Sequence, residues 1–453
     1  MSVLPSVARS AGHSPALRII VVRSFATESI PSSSSQSSSS SPSSTSGSDL
    51  PPLPLSKQKS AKPRLYPHPR PAVSHRHAPS LNPLLPKLPP TFGRNQLLPV
   101  TDSTRALLES IVGGFEAPIR YAFAYGSGVF EQDGYALSSS KAPSASGSVG
   151  PSTSVVPSRR ADAPMLDFMF AVTHPAHWHS INMQQHPSHY PLHARALGSS
   201  YVSRVQELGP GVWFNAYVPM KDVTIKYGVT TIDNLCSDLL NWRTLYLAGR
   251  MHKPLRIIKD DARVRLTQQV NLTSAVRAAL LTLPASFPQE DLFARIASIS
   301  YAGDPRMLLP AENRGKVGNI VRKQGPQFKE LYHRLVVGLP GVHWPIEREV
   351  IEQDTSPRAR AALLRKLPDG LVQRVKANFR QRGVEAELEK DEGVYWARLA
   401  GDEEVLRRVL NEEMANIVRY PATIQTLKGI VSAGVGKSIR YSSAKIGKWW
   451  SGS

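Results

Sequence analysis

The sequence predicts an α/β fold followed by a mainly helical domain and a basic C-terminal segment. Three observations carry this expectation. Short β-rich runs cluster between residues 120 and 230, apolar residues recur at helical spacing from residue 235, and the chain beyond Glu413 holds bases and no acid. The 453 residues carry a formal net charge of +20, which favours polyanionic partners: nucleic acid, an anionic membrane surface, or the phosphates of nucleotides and phospholipids. Cys236 is the only cysteine, which excludes an intrachain disulfide and any cysteine-built zinc or iron–sulfur site, and fits a reducing compartment.

Residues 1–27 hold Arg9, Arg18 and Arg23, several serines and the apolar LRIIVV, with no acid before Glu28; this is the composition of a mitochondrial presequence, and RSFA at 23–26 suits matrix cleavage. A secretory signal competes, but its apolar core would be longer and would follow its basic residues closely. Residues 28–92 are expected to be unfolded. Serine dominates 31–47, and 51–90 interleave Pro with Lys, Arg and His, so neither stretch buries enough apolar surface to offset its ordering entropy. Residues 1–92 contain ten Lys or Arg against Glu28 and Asp49, so they supply +8 of the +20 and leave +12 on the rest. No stretch reaches the ~18 apolar residues of a spanning helix, so any membrane contact is expected to be peripheral.

Folding is expected from residue 93, and residues 93–232 are read as the α/β domain. NQLLPVTDSTRALLESIVGGF has the pattern of a capped amphipathic helix ending at Gly113 and Gly114. The alternating Arg120–Ala124 then leads as a strand into AYGSGVF. Residues 135–163, rich in Ser, Pro and Gly, read as a flexible insertion, and MLDFMFAV at 165–172 restores a buried strand. VWFNAYVP (212–219) and VTIKYGVT (223–230) read as paired strands. A helical domain is expected over 233–335: Leu235, Leu239, Trp242 and Tyr246 imply a helix over 235–248, Leu272, Val276, Ala279 and Leu283 another, and FPQEDLFARIA a third with Pro288 at its first position. Residues 336–413 form short helical runs to which no chemistry is assigned, and 414–453 are read as a basic, membrane-associating segment.

Chemistry is concentrated in a few places. A Gly-Ser-Gly turn at Gly126, Ser127 and Gly128 exposes backbone N–H groups that a phosphate can approach, although many glycine turns are only turns. Asp167 is the one charge within MLDFMFAV, on the strand face shared with Met165, Met169 and Ala171. An ionised carboxylate there needs a cation or several donors; a bound Mg²⁺ and a set of backbone hydrogen bonds both answer. HPAHWHSINMQQHPSHYPLH packs six His into twenty residues, but no cysteine or acid accompanies them, which disfavours structural zinc. His179 and His189 fit phosphate binding, proton transfer or burial as structural histidines. Arg250 and Lys253 either aim at phosphates or cap a helix that ends near Gly249. In the tail, Lys437, Arg440, Lys445 and Lys448 with Trp449 and Trp450 suit an anionic bilayer, or else fray into solvent.

A strand, a Gly-Ser turn and a second strand bearing a carboxylate resemble the nucleotidyltransferase superfamily, which implies a mixed sheet. More specifically, YGSGVF, MLDFMFAV, WHSIN followed by SHY, IKYGV, DLLNWRTLYLAGRMHKP and SYAGDPRM, in that order over roughly residues 95–335, resemble the mitochondrial phosphatidate cytidylyltransferase family, also called the mitochondrial translocator assembly and maintenance family. LKGIVSAGVGKSI extends the resemblance weakly towards the C-terminus.

The resemblance implies an enzyme that makes CDP-diacylglycerol and pyrophosphate from phosphatidic acid and CTP with Mg²⁺. It would act peripherally on the matrix side of the anionic mitochondrial inner membrane, feeding phosphatidylglycerol and cardiolipin synthesis. Gly126, Ser127 and Gly128 would then cradle the triphosphate, Asp167 would bind the metal, Lys226, Arg250 and Lys253 would meet phosphates, and His189 would be a catalytic candidate. Met169 stands where the superfamily has a second carboxylate, which leaves Glu131, Asp133 or Asp162 as further ligand candidates. The alternative is a peripheral assembly factor whose nucleotidyltransferase domain has decayed. No nucleic acid is expected as a partner, since no aromatic-basic recognition motif is present. The sequence sets no oligomeric state.

Overall fold

In the computed structural model, strands β1 (Tyr121–Tyr125), β2 (Leu166–Val172), β3 (Trp213–Met220), β4 (Val223–Thr231) and β5 (Leu255–Lys259) form a five-stranded sheet in the order β3-β4-β2-β1-β5, with β2 at its centre. The structure describes residues 89, 91–126, 128–130, 165–308, 315–383 and 392–433. The expected presequence, the Ser/Pro-rich segment up to residue 88, the insertion at 135–163, Ser127, Glu131, Asp133, Asp162 and all six tail residues from Lys437 to Trp450 lie outside them.

The sheet is mixed, as expected: β1 runs antiparallel to β2 and β5, β3 antiparallel to β4, and β2 parallel to β4. Both faces are covered, and strand alternation decides what covers each. Ala122, Ala124, Phe168, Phe170, Tyr227 and Val229 pack against helix α1 (Asp102–Gly113), Phe115 and helix α2 (Pro175–Gln185). Thr101 caps α1 by accepting the Thr104 N–H, so the expected cap is present, and the helix stops at Gly113 as expected. Helix α3 (Leu192–Glu207) follows α2 and leads into β3.

The opposite face, carrying Tyr121, Phe123, Met169, Ala171 and Phe214, packs against helices α4 (Ile232–Asn241) and α5 (Ala262–Leu280). The same hydrophobic cluster continues through α6 (Gln289–Ser298) and α7 (Lys316–Val337). It then takes in α8 (Pro357–Leu364), α9 (Asp369–Gln381), α10 (Glu392–Leu399) and α11 (Glu403–Ala433). A small three-stranded sheet, β6 (Ser286–Pro288), β7 (Val342–His343) and β8 (Val350–Gln353), in the order β6-β8-β7, edges these helices. All described residues belong to one compact unit, and one core runs through the stretches 93–232, 233–335 and 336–413.

Three expectations are corrected. Helix α4 ends at Asn241 rather than 248, because Trp242 takes a left-handed conformation (φ 51°) and Asp238 draws the following chain into a turn. Pro288 precedes α6 as its N-cap instead of opening it. The boundary drawn at residue 414 falls inside α11, where Met414, Ile417, Val418 and Ala422 are core residues. Lys428, read as part of a basic surface segment, is buried there: its Nζ donates to the carbonyls of Gln206 (2.9 Å) and Leu208 (2.8 Å) at the end of α3.

Candidate active site

Strand register places Tyr125, Asp167 and Lys226 in one row across β1, β2 and β4, on the face that receives the large helical core. The row lies near the end of β1, where the core gives way to polar side chains. Lys226 Nζ stands 3.7 Å from Asp167 Oδ1, and the two side chains keep 32% and 28% of their surface exposed. Burial raises the Asp167 carboxyl above its ordinary pKa, against the opposing pull of Lys226 and Arg250. The reciprocal holds for Lys226: burial lowers its ammonium pKa and Asp167 pulls it back up. A carboxylate that desolvation works against, with one cation 3.7 Å away, is a group for which further positive charge is favourable.

Gly126 follows directly and turns the chain with φ 91°, a conformation that suits glycine; a Cβ built there would lie 3.7 Å from Asp167 Oδ2. The turn closes where the Val129 N–H donates to the Gly126 carbonyl (3.3 Å), with Gly128 inside it. Backbone and carboxylate therefore share one mouth.

Arg250 reaches this mouth because of a residue the sequence analysis did not single out. Buried Asp238 accepts the N–H groups of Thr244 (2.7 Å) and Leu245 (3.1 Å) at Oδ1 and those of Leu247 (2.9 Å) and Ala248 (3.1 Å) at Oδ2. It also accepts the Thr244 hydroxyl (2.9 Å). One carboxylate thus folds the turn that ends α4. The turn delivers Tyr246, over whose ring the Arg250 guanidinium lies at 3.7 Å while Nη1 donates to the Tyr246 carbonyl at 2.6 Å. Burial works against the Arg250 charge, but Tyr246, Tyr125 and Asp167 outweigh it and raise its pKa.

Lys253 donates to the Gly249 carbonyl and to Ser300 Oγ, both at 2.7 Å, and lies 4.9 Å from the Tyr301 ring centre. Each base bonds a carbonyl of the turn beyond α4 and stands with its charge beside the others, but no helix ends at Gly249 for them to cap. Burial, with Arg250 and Lys316 adding to it, brings the Lys253 pKa down to about 7. Two more cations join the group that sequence reasoning left out. Lys316 lies 5.2 Å from the Tyr301 ring centre and its charge acts on Asp167 and Lys253. Arg306 acts on Lys226 and Arg250. Arg306 sits within a motif already noted, SYAGDPRM, so a signal for it existed.

His189 does not belong to this group. Its Nδ1 is 2.9 Å from Tyr227 Oη, and Tyr227, adjacent to Lys226 on a strand, points to the opposite face of the sheet. The structure thus places His189, expected as a catalytic candidate, apart from these cations and in the polar network beneath the sheet. Tyr227 Oη accepts from Asn182 (2.9 Å) and Asn215 (2.8 Å), while His179 bridges Tyr190 Oη (2.8 Å) and Gln206 Oε1 (2.9 Å). WHSIN and SHY are thus the polar core beneath the sheet, and burial lowers the His179 pKa to about 4.

Met169 is fully buried in the core. A Cβ at Gly228 would lie 2.8 Å from the Met169 sulfur and 2.7 Å from the Phe214 ring, so IKYGV leaves out a side chain where these two pack. Among the described residues no three His, Cys, Asp or Glu converge in a way that could hold a metal. Among the described residues Asp167 is the carboxylate that faces this mouth, 3.7 Å from Lys226, and it would take a Mg²⁺ that draws its other ligands from substrate phosphates and water, as that ion commonly does.

A mixed sheet with a glycine turn, one carboxylate and converging cations defines a nucleotidyltransferase-type site. The family profile described as phosphatidate cytidylyltransferase, mitochondrial, matches residues 108–448, and the chain belongs to that family. It is 38% identical to the mitochondrial phosphatidate cytidylyltransferase of Xenopus laevis over 78% of this chain and 96% of that protein. Against the Danio rerio protein of the same name it is 36% identical over 78% and 98%. With the Saccharomyces cerevisiae one it shares 32% identity over 79% and 74%.

Proposed function

We propose that this chain is a CTP:phosphatidate cytidylyltransferase. The observation that carries the reading is the row Tyr125–Asp167–Lys226 beside the Gly126 turn, with Arg250 and Lys253 at its edge, in a chain of this family. In the reaction a phosphate oxygen of phosphatidate attacks the α-phosphorus of CTP, a new P–O–P link forms, and the bond to the departing pyrophosphate breaks. Such chemistry asks for positioning and charge neutralisation more than for proton transfer. Lys226 and Arg250 bring fixed positive charge to the phosphates, and the Gly126–Gly128 turn offers backbone to the triphosphate. Mg²⁺ held by Asp167 would offset the charge of the polyphosphate.

The relatives are named mitochondrial, and no helix among the described residues is long and apolar enough to cross a membrane. The relatives' name supports a mitochondrial enzyme; a peripheral place on the matrix side of the inner membrane, supplying phosphatidylglycerol and cardiolipin synthesis, is part of the proposal. The reading as an assembly factor with a decayed site is disfavoured. Decay gives no reason to retain a carboxylate whose ionisation burial opposes, beneath several cations.

The test is CDP-diacylglycerol and pyrophosphate formation by the purified chain from phosphatidic acid, CTP and Mg²⁺, beside Asp167→Ala. Turnover in the wild type, lost in a variant that keeps its melting temperature, is the expected result. A folded wild type without turnover would end the proposal.

A further inference from the structure

The loop carrying SYAGDPRM presents an arginine in a prepared orientation. Asp304 is almost fully buried and grips Arg306 side-on: Nε donates to Oδ1 at 3.0 Å and to Oδ2 at 3.2 Å, and Nη2 donates to Oδ2 at 2.6 Å. The Arg306 backbone N–H also donates to Oδ1, at 3.0 Å. Nη1 takes no partner among the described residues, and the side chain keeps 44% of its surface exposed. An arginine held along one edge with the other edge open is matched to phosphate oxygens, because its planar fork can bind two of them at fixed angles. The loop starts against the turn that carries Arg250 and Lys253: Lys253 Nζ donates to Ser300 Oγ at 2.7 Å and lies 4.9 Å from the Tyr301 ring centre, and Gly249 packs against Ser300, so Arg306 stands at the rim of the mouth described above.

The loop itself is seated on the C-terminal helix. Gly303 has φ 72°, and a Cβ there would lie 2.3 Å from the Ala415 carbonyl oxygen of α11, which places backbone against backbone. Only glycine allows that approach. The position of Arg306 is thereby set from two sides, by Asp304 within the loop and by α11 beneath it.

We propose that Arg306 binds a substrate phosphate during cytidylyl transfer, with Asp304 and the α11 backbone under Gly303 as its positioning support. The proposal rests on the cytidylyltransferase reading and adds a phosphate contact to it. A phosphate is offered by CTP and by phosphatidate alike, and the experiment separates the two.

The full-length enzyme is compared with Arg306→Ala, Arg306→Lys, Asp304→Asn and the exchanged pair Asp304→Arg with Arg306→Asp. KM is measured separately for CTP and for phosphatidate in mixed micelles. Arg306→Ala is expected to lower kcat/KM about a hundredfold. Arg306→Lys, which keeps the charge but not the fork, recovers part of the loss. Asp304→Asn costs about tenfold, the scale of removing a group that orients a contact residue. A KM rise confined to one substrate assigns the phosphate to that substrate. The exchanged pair keeps the loop's ion pair but moves the cation, so it is expected to remain as poor as Arg306→Ala. The proposal is overturned if the exchanged pair regains activity, or if Arg306→Ala loses thermal stability yet keeps wild-type kcat/KM for both substrates; the pair is then only a loop staple. Should Arg306→Ala fail to fold, Arg306→Lys decides: kcat/KM equal to wild type overturns the proposal. An inactive wild type ends the cytidylyltransferase reading and this inference with it, a result distinct from an active wild type indifferent to Arg306.

Discussion

Met169 occupies the position where the nucleotidyltransferase superfamily has a second carboxylate, and the structure gives it a different task. Its sulfur fills the space left by Gly228, beside Phe214 and under the helices. Met169→Asp is therefore expected to destabilise the protein by about 3–5 kcal/mol, the scale of an uncompensated buried charge, without raising turnover. Chemical denaturation together with the activity assay checks both parts. Gly126→Ala is expected to cost about 1–2 kcal/mol, because a side chain resists φ 91°. It should also lower kcat/KM for CTP, since the turn is proposed to offer its backbone to the triphosphate, where the bond is made and broken.

At the level of elements, strand alternation separates chemistry from support. Lys226 and Tyr227 are neighbours in sequence, yet one faces the cations and the other the buried asparagines and His189. His189→Gln is expected to lower the melting temperature while leaving kcat close to wild type, which calorimetry and initial rates will show. Tyr227→Phe removes the shared acceptor of Asn182 and Asn215, at about 1–3 kcal/mol for each donor left unpaired. Sequence patterns carried the sheet well because period two is visible in MLDFMFAV, and the two faces predicted for Asp167 and Phe168 are the ones observed. They failed at the end of α4, where the apolar spacing of Trp242 and Tyr246 continues but Asp238 takes four backbone N–H groups and bends the chain away. They also missed Lys316, because a solvated base and a base delivered to a distant carboxylate look the same until the chain is folded, and they passed over Arg306 although it lies within the motif SYAGDPRM.

Across the whole molecule, buried titratable groups set a pH response. Burial lowers the pKa of His179 to about 4 and, with Lys253 adding to it, that of His252 to about 3, both from an ordinary 6.5. The unfolded chain therefore binds protons below pH 6.5 that the folded chain refuses, so stability falls as pH drops from 6.5 towards 4. The expected slope approaches about 1.4 kcal/mol per pH unit for each histidine. Lys428 acts on the alkaline side. Burial holds its pKa near 7 against an ordinary 10.5, so stability rises with pH across that window as the unfolded chain gives up the proton the folded chain already lacks. Unfolding free energy measured against pH should show both limbs; Lys253, also held near 7 by burial, adds to the alkaline one, so Lys428→Met should reduce its slope by about half.

The bond from Lys428 to Gln206 spans 222 residues of chain, and it is made by the last described helix. Contacts of this range must wait for the distant partner, and the loop-closure entropy is met late in folding. The Gly303 loop, seated against Ala415 of α11, takes its place only once that helix has docked. The catalytic mouth is then among the last parts of the fold to be completed.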